Sequence, residues 1–119
     1  MIAIIFEVEP VAAHRDAYLD IAAKLRPELE KIDGFISVER FQSITNLGKM
    51  LSLSFFQDEA AVRAWRNLES HRRAQEAGRG RGGHDGLFAG YRLRVASVLR
   101  DYSLEDREQA PDDSRAIHG

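Results

Sequence analysis

The sequence predicts an α+β fold of order β-α-β-β-α-β: a four-stranded antiparallel sheet of the ferredoxin-like kind, with two helices on one face. Three observations predict it. Runs rich in β-branched and aromatic residues lie near both ends of the first hundred residues, and a pair of them lies in the middle. Two stretches with apolar residues at three- and four-residue steps separate these runs. No internal repeat or second composition block appears, so one domain is expected over residues 1–104, followed by a polar tail over residues 105–119.

Composition narrows the functional classes. A chain of 119 residues buries one core. A net charge of −2 leaves no electrostatic footprint for nucleic acid. The absence of cysteine excludes disulfides and thiolate metal sites. The apolar opening Met1 to Phe6 is too short for a signal peptide, and no run approaches the roughly 20 apolar residues that span a membrane. A cytoplasmic protein without a membrane partner is the expectation.

The first strand is Ile2 to Val8, apolar on both faces and therefore central in the sheet, with Pro10 ending it. A helix follows from about Ala12 to Ile32. Tyr18, Ile21, Ala22, Leu25, Leu29 and Ile32 make its apolar stripe, and Pro27 predicts a kink or restart near Leu25-Arg26. Gly34 suits a left-handed cap. In the second strand, Phe35 to Gln42, Ile36, Val38 and Arg40 alternate with Ser37, Glu39 and Phe41. After a polar loop comes the third strand, Met50 to Phe56, with Leu51, Leu53 and Phe55 on one face and Ser52 and Ser54 on the other. The pair predicts an antiparallel hairpin.

Asp58 is a suitable N-cap for the second helix, along which Ala61, Ala64, Trp65, Leu68, His71, Arg72 and Gln75 share one side. The glycine-rich run Gly78 to Gly86 reads as a flexible loop or lid, and it fits neither the P-loop pattern nor the dinucleotide fingerprint. The last strand lies within Leu87 to Tyr102. Tyr91, Leu93 and Val95 point one way there, and Arg92, Arg94 and Arg100 the other. The tail from Glu105 has little to bury and reads as mobile, or as an arm on a partner subunit. The sheet face away from the helices carries Phe, Ile, Leu and Val from several strands. A second copy of the same sheet is the expected cover, which gives a symmetric homodimer.

With these elements the chain resembles the dimeric α+β barrel superfamily, and within it the antibiotic biosynthesis monooxygenase-like domain family. The resemblance rests on the opening strand Met1 to Val8 and on Leu29-Glu30-Lys31-Ile32-Asp33-Gly34-Phe35 leading into the second strand. It extends through Leu51-Ser52-Leu53-Ser54-Phe55-Phe56, the helix from Asp58 to Trp65, His71, and the closing strand Tyr91 to Ala96. It implies a pocket between the second helix and the sheet that takes a small apolar or aromatic molecule. In the cofactor-free branch a pocket tryptophan is assisted by polar residues, so no cofactor is expected. The haem-degrading branch adds a first-strand asparagine and a helix histidine as axial ligand, which makes haem the alternative cofactor. This chain has Phe6 and Glu7 in place of the asparagine, and a shorter Trp65 to His71 spacing.

The candidate catalytic residues are therefore His71, Trp65 and Tyr91. His71, with a pKa near neutrality, suits a general base. Trp65 would form an apolar wall, and Tyr91, whose ring is expected to be buried, would orient substrate through its hydroxyl. Asn67, Arg72 and Arg92 are the candidate substrate contacts. Arg92 and Arg94 could hold an acidic ligand between them, but salt bridging to Glu7, Glu9 or Glu39 is the reading favoured. His14, His84 and His118 form no metal-ligand spacing. The expected reaction is monooxygenation of an aromatic or quinol-like small molecule. A ligand-binding domain without catalysis is the competing class.

Overall fold

β1 (Ile2–Pro10) is apolar on both faces and lies inside the sheet, paired antiparallel with β3 (Met50–Phe56) on one side and β4 (Phe88–Ser97) on the other. β2 (Phe35–Gln42) completes the order β2-β3-β1-β4 by pairing antiparallel with β3. The computed structural model describes residues 1–68 and 88–113. Two helices cover one face: α1 (Arg15–Leu29), entered through a 3-10 turn at Ala12–His14, and α2, helical over residues 59–68 of the described chain. The expected ferredoxin-like α+β fold is the one observed.

The elements follow from local chemistry. β1 runs two residues beyond Val8, with a register shift between Glu9 and Pro10 where proline cannot donate to the ladder. Of the kink or restart expected near Leu25-Arg26, no restart is seen. α1 is continuous there, and Pro27 in its last turn gives up its own N–H bond to the carbonyl four residues back without ending the helix. Gly34 has a φ of +92°, and its carbonyl accepts from the Gln57 N–H at 2.7 Å, which ties the turn after α1 to the end of β3. The hairpin loop is closed by the Gln42 amide, which donates to the Leu47 and Lys49 carbonyls at 2.8 and 3.0 Å. Its oxygen accepts from Arg15 Nη2 at 2.8 Å.

Asp58 caps α2 as its sequence position suggests: Oδ1 accepts from the Ala61 N–H at 2.9 Å. Asp58→Ala should lower stability by about 1 kcal/mol, read as a shifted urea midpoint with an unchanged slope. An unchanged midpoint would mean that the cap contributes nothing.

Beyond β4, Val98 donates to the Met1 carbonyl, and the chain then loops back on itself. Asp101 N–H donates to Gln109 Oε1 at 2.8 Å, the Arg107 guanidinium lies 5.2 Å from the centre of the Tyr102 ring, and Ala110 is buried. The described part of the tail thus buries more than its charged composition suggests. Leu99 and Leu104 project into solvent nearby.

Candidate functional site

Strand register divides the helix-covered face into rows. From one end they are Phe35, Phe56, Ile2 and Ser97; then Val38, Ser54, Ile4 and Val95; then Arg40, Ser52, Phe6 and Leu93; and last Gln42, Met50, Val8 and Tyr91. From the first two rows Phe35, Phe56, Ile2, Val38 and Ile4 join Leu25, Leu29, Ala61 and Val62 in the core, with Ile32, Trp65 and Leu68 packed against them. The last row joins Tyr18 in a separate cluster at the other end, with Phe6, Leu19 and Phe88 against it. Between these clusters, β2 and β3 present polar residues where an apolar layer would be continuous. Ser54 is buried, Ser52 is half-buried, and Arg40 carries a buried Nε with no hydrogen-bond partner.

Trp65 is half-buried over the first row, its ring 6.3 Å from that of Phe56, so the indole packs against the core and borders the break. Asn67 is exposed, two residues round the helix from Trp65, and does not turn toward the sheet. The expected burial of Tyr91 is not observed: the side chain is 60% exposed. Its parity is as read from sequence, but β4 is an edge strand that the helices do not fully cover. Its ring belongs with Phe6, Phe88 and Tyr18 at the far end of the sheet, six residues along β1 from the Phe56 row or about 20 Å. Arg92 lies on the opposite face from Trp65, so the two do not address one pocket of this protomer. His71, Arg72 and the Gly78 to Gly86 loop lie outside the described residues. Arg40 was not among the candidates from sequence, although its parity with Val38 was the available signal.

The open face carries Ala3, Ile5, Leu51, Leu53, Phe55 and Phe41, and at one end a charged group. Glu7 accepts from Lys49 Nζ at 2.7 Å and from Arg94 Nη1. The salt-bridge reading therefore holds for Arg94. Arg92 joins these residues and Tyr91 in lining an open hollow of about 340 Å³. The hydrogen bond from Lys49, then that from Arg94, holds the Glu7 carboxyl below its usual range. A lowered folded value means that the contribution is complete above the unfolded carboxyl value of about 4.3 and is lost as pH falls through the folded one. The melting-temperature gap between wild type and Glu7→Gln should accordingly be constant near neutrality and close in acid. A gap independent of pH would refute the pairing.

Comparison with known proteins agrees with this architecture. The sequence model of the family described as antibiotic biosynthesis monooxygenase matches residues 1–77. A jasmonate monooxygenase from Pyricularia oryzae is 47% identical over 98 residues, covering 82% of this chain and 43% of the relative. The chain thus spans less than half the length of the curated relative that it matches. Among solved structures, Rv0793 from Mycobacterium tuberculosis superposes with a TM-score of 0.69 at 19% identity, over 86% of this chain and 98% of that one. An MhuD variant with two manganese protoporphyrin IX molecules bound per active site superposes at 0.65 and 17% identity, over 87% and 99%. These structural likenesses establish the fold.

Proposed function

Because the chain belongs to the antibiotic biosynthesis monooxygenase family, we propose that it is a small monooxygenase acting on a molecule with an apolar body, held on the helix-covered face beside Trp65. The observation that carries this reading is the sequence identity with a jasmonate monooxygenase, which runs through most of this chain. The polar break in the covered face supports it with groups that a ligand's polar end could meet. The chemistry needs a substrate whose C–H or O–H is acidified by a neighbouring carbonyl or aromatic ring. A base removes that proton, and the carbanion or phenolate reduces dioxygen. One oxygen atom enters the substrate and the other leaves as water, the substrate supplying the electrons. His71 is the proposed base, and Trp65 with the apolar rows excludes water from the anion.

Haem fits less well. The β1 residues facing the helices are Ile2, Ile4, Phe6 and Val8, and none offers the polar side chain that the haem-degrading branch carries on its first strand. Haem is therefore given no step here. Oxygen consumption is the test, with jasmonate, anthrones and naphthols as substrates in metal-free buffer. Substrate-dependent uptake that falls at least about a hundredfold in His71→Ala is expected for a general base. No uptake with any of them, or a Soret band on haem addition that is lost in His71→Ala, would replace this reading.

The open face supports a second copy as its cover. Ile5, Leu51, Leu53 and Phe55 stay half-exposed in the single chain, and facing sheets would bury them. Sedimentation showing only monomer at micromolar concentration would overturn this.

A further inference from the structure

We propose that Arg40 anchors a carboxylate, so that the molecule taken by the helix-covered site is a monocarboxylic acid with an apolar body. The inference deepens the monooxygenase reading and rests on it for the place of the ligand. Arg40 lies at the middle of β2, two residues from buried Val38 and directly across from Ser52. Its Nε is removed from solvent and meets no acceptor, and among the described residues no carboxylate forms an ion pair with it. The basic side chains around it are committed elsewhere. Arg15 donates to Gln42, and Arg26 to Glu30 and to the Val38 carbonyl.

Arg40 is half-buried, with its Nε out of solvent; a guanidinium cannot shed its charge by deprotonation, so this buried N–H is a donor that a ligand oxygen can satisfy. A carboxylate matches it: two coplanar oxygens accept from Nε and one Nη in parallel. Ser52, one strand over, and Ser54, on the next row toward Trp65, place hydroxyls beside that position. The flanking rows offer apolar contact on both sides, Val38 and Ile4 with Leu25 of α1 toward Trp65, and Met50 and Val8 the other way, while Phe6 shares the row of Arg40. A rigid acid would lie with its carboxylate over β2 and β3 and its body toward α2.

Binding of jasmonate and of its methyl ester to the full chain, by calorimetry without oxygen, tests this. The pair differs in charge and in one methyl group. The acid is expected to bind at least about tenfold more tightly, the ratio of a charge-assisted pair to a neutral contact. Arg40→Met should bring the acid down to the affinity of the ester and leave the ester unchanged. Arg40→Lys, which keeps the charge but loses the planar fork, should fall between, and it serves if the methionine variant does not fold. Equal binding of acid and ester to the wild type overturns the proposal, as does binding of neither. So does a preference that survives in Arg40→Met or that is lost in Arg92→Met instead. Oxygen uptake separates the two readings. Acid-selective binding without uptake refutes the monooxygenase and keeps the anchor. Equal uptake of acid and ester by wild type and Arg40→Met refutes the anchor and keeps the monooxygenase.

Discussion

Replacing Phe56 by alanine is expected to destabilise the domain by about 3–5 kcal/mol, a large part of the roughly 5–15 kcal/mol that holds a domain of this kind folded. The ring is fully buried. It meets Phe35 edge-on at 5.7 Å and Trp65 at 6.3 Å, and it shares a cluster with Ile4, Ala61 and Val62. Its removal leaves a void walled by both helices' partners in the sheet, where backbone in two neighbouring strands prevents collapse. Urea unfolding followed by the fluorescence of Trp65, the one tryptophan in the chain, measures the cost. A loss below about 1 kcal/mol, the usual scale of surface substitutions and caps, would mean that the core is centred elsewhere.

Gly34→Ala comes next, at about 2 kcal/mol or more. Two effects combine. A Cβ at a φ of +92° is strained by about 1–2 kcal/mol. That atom would also lie 2.9 Å from the Ala61 Cβ, itself buried on α2. The overlap can be separated from the strain by pairing the substitution with Ala61→Gly, which opens the space but leaves φ as it is. A double-mutant cycle should give a coupling of about 0.5–3 kcal/mol in the direction of rescue, with the remaining loss assigned to the backbone. Full additivity would refute the contact.

Much of this was legible in the sequence because it is local. Alternation set the bounds of β2 and β3, Asp58 had the right chemistry at the right place, and Gly34 followed a helix whose stripe had ended. What the sequence did not show depends on neighbours distant in the chain. Parity told which face Tyr91 takes, but its exposure follows from β4 lying at the edge of the sheet. The two faces of β4 separate Arg92 from Trp65, and α2 has already turned Asn67 outward. Arg40 escaped for the opposite reason: a charged residue on an edge strand is expected to point to water, whatever its parity.

The middle of β3 is reversed in polarity relative to the helices it lies under: Ser52 and Ser54 face them between Met50 and Phe56, and Leu51, Leu53 and Phe55 face away. Because strand side chains alternate with a period of two, sliding β3 by one residue would bring those three apolar side chains beneath α1 and α2. The same slip would turn Met50 and the fully buried Phe56 out of the core. Native alignment is supported by that core, by the Gln42 hydrogen bonds that close the loop, and by the ladder to β1 on the other side. The hairpin is thus a place where the local pattern of one strand and the register of the whole sheet pull in different directions.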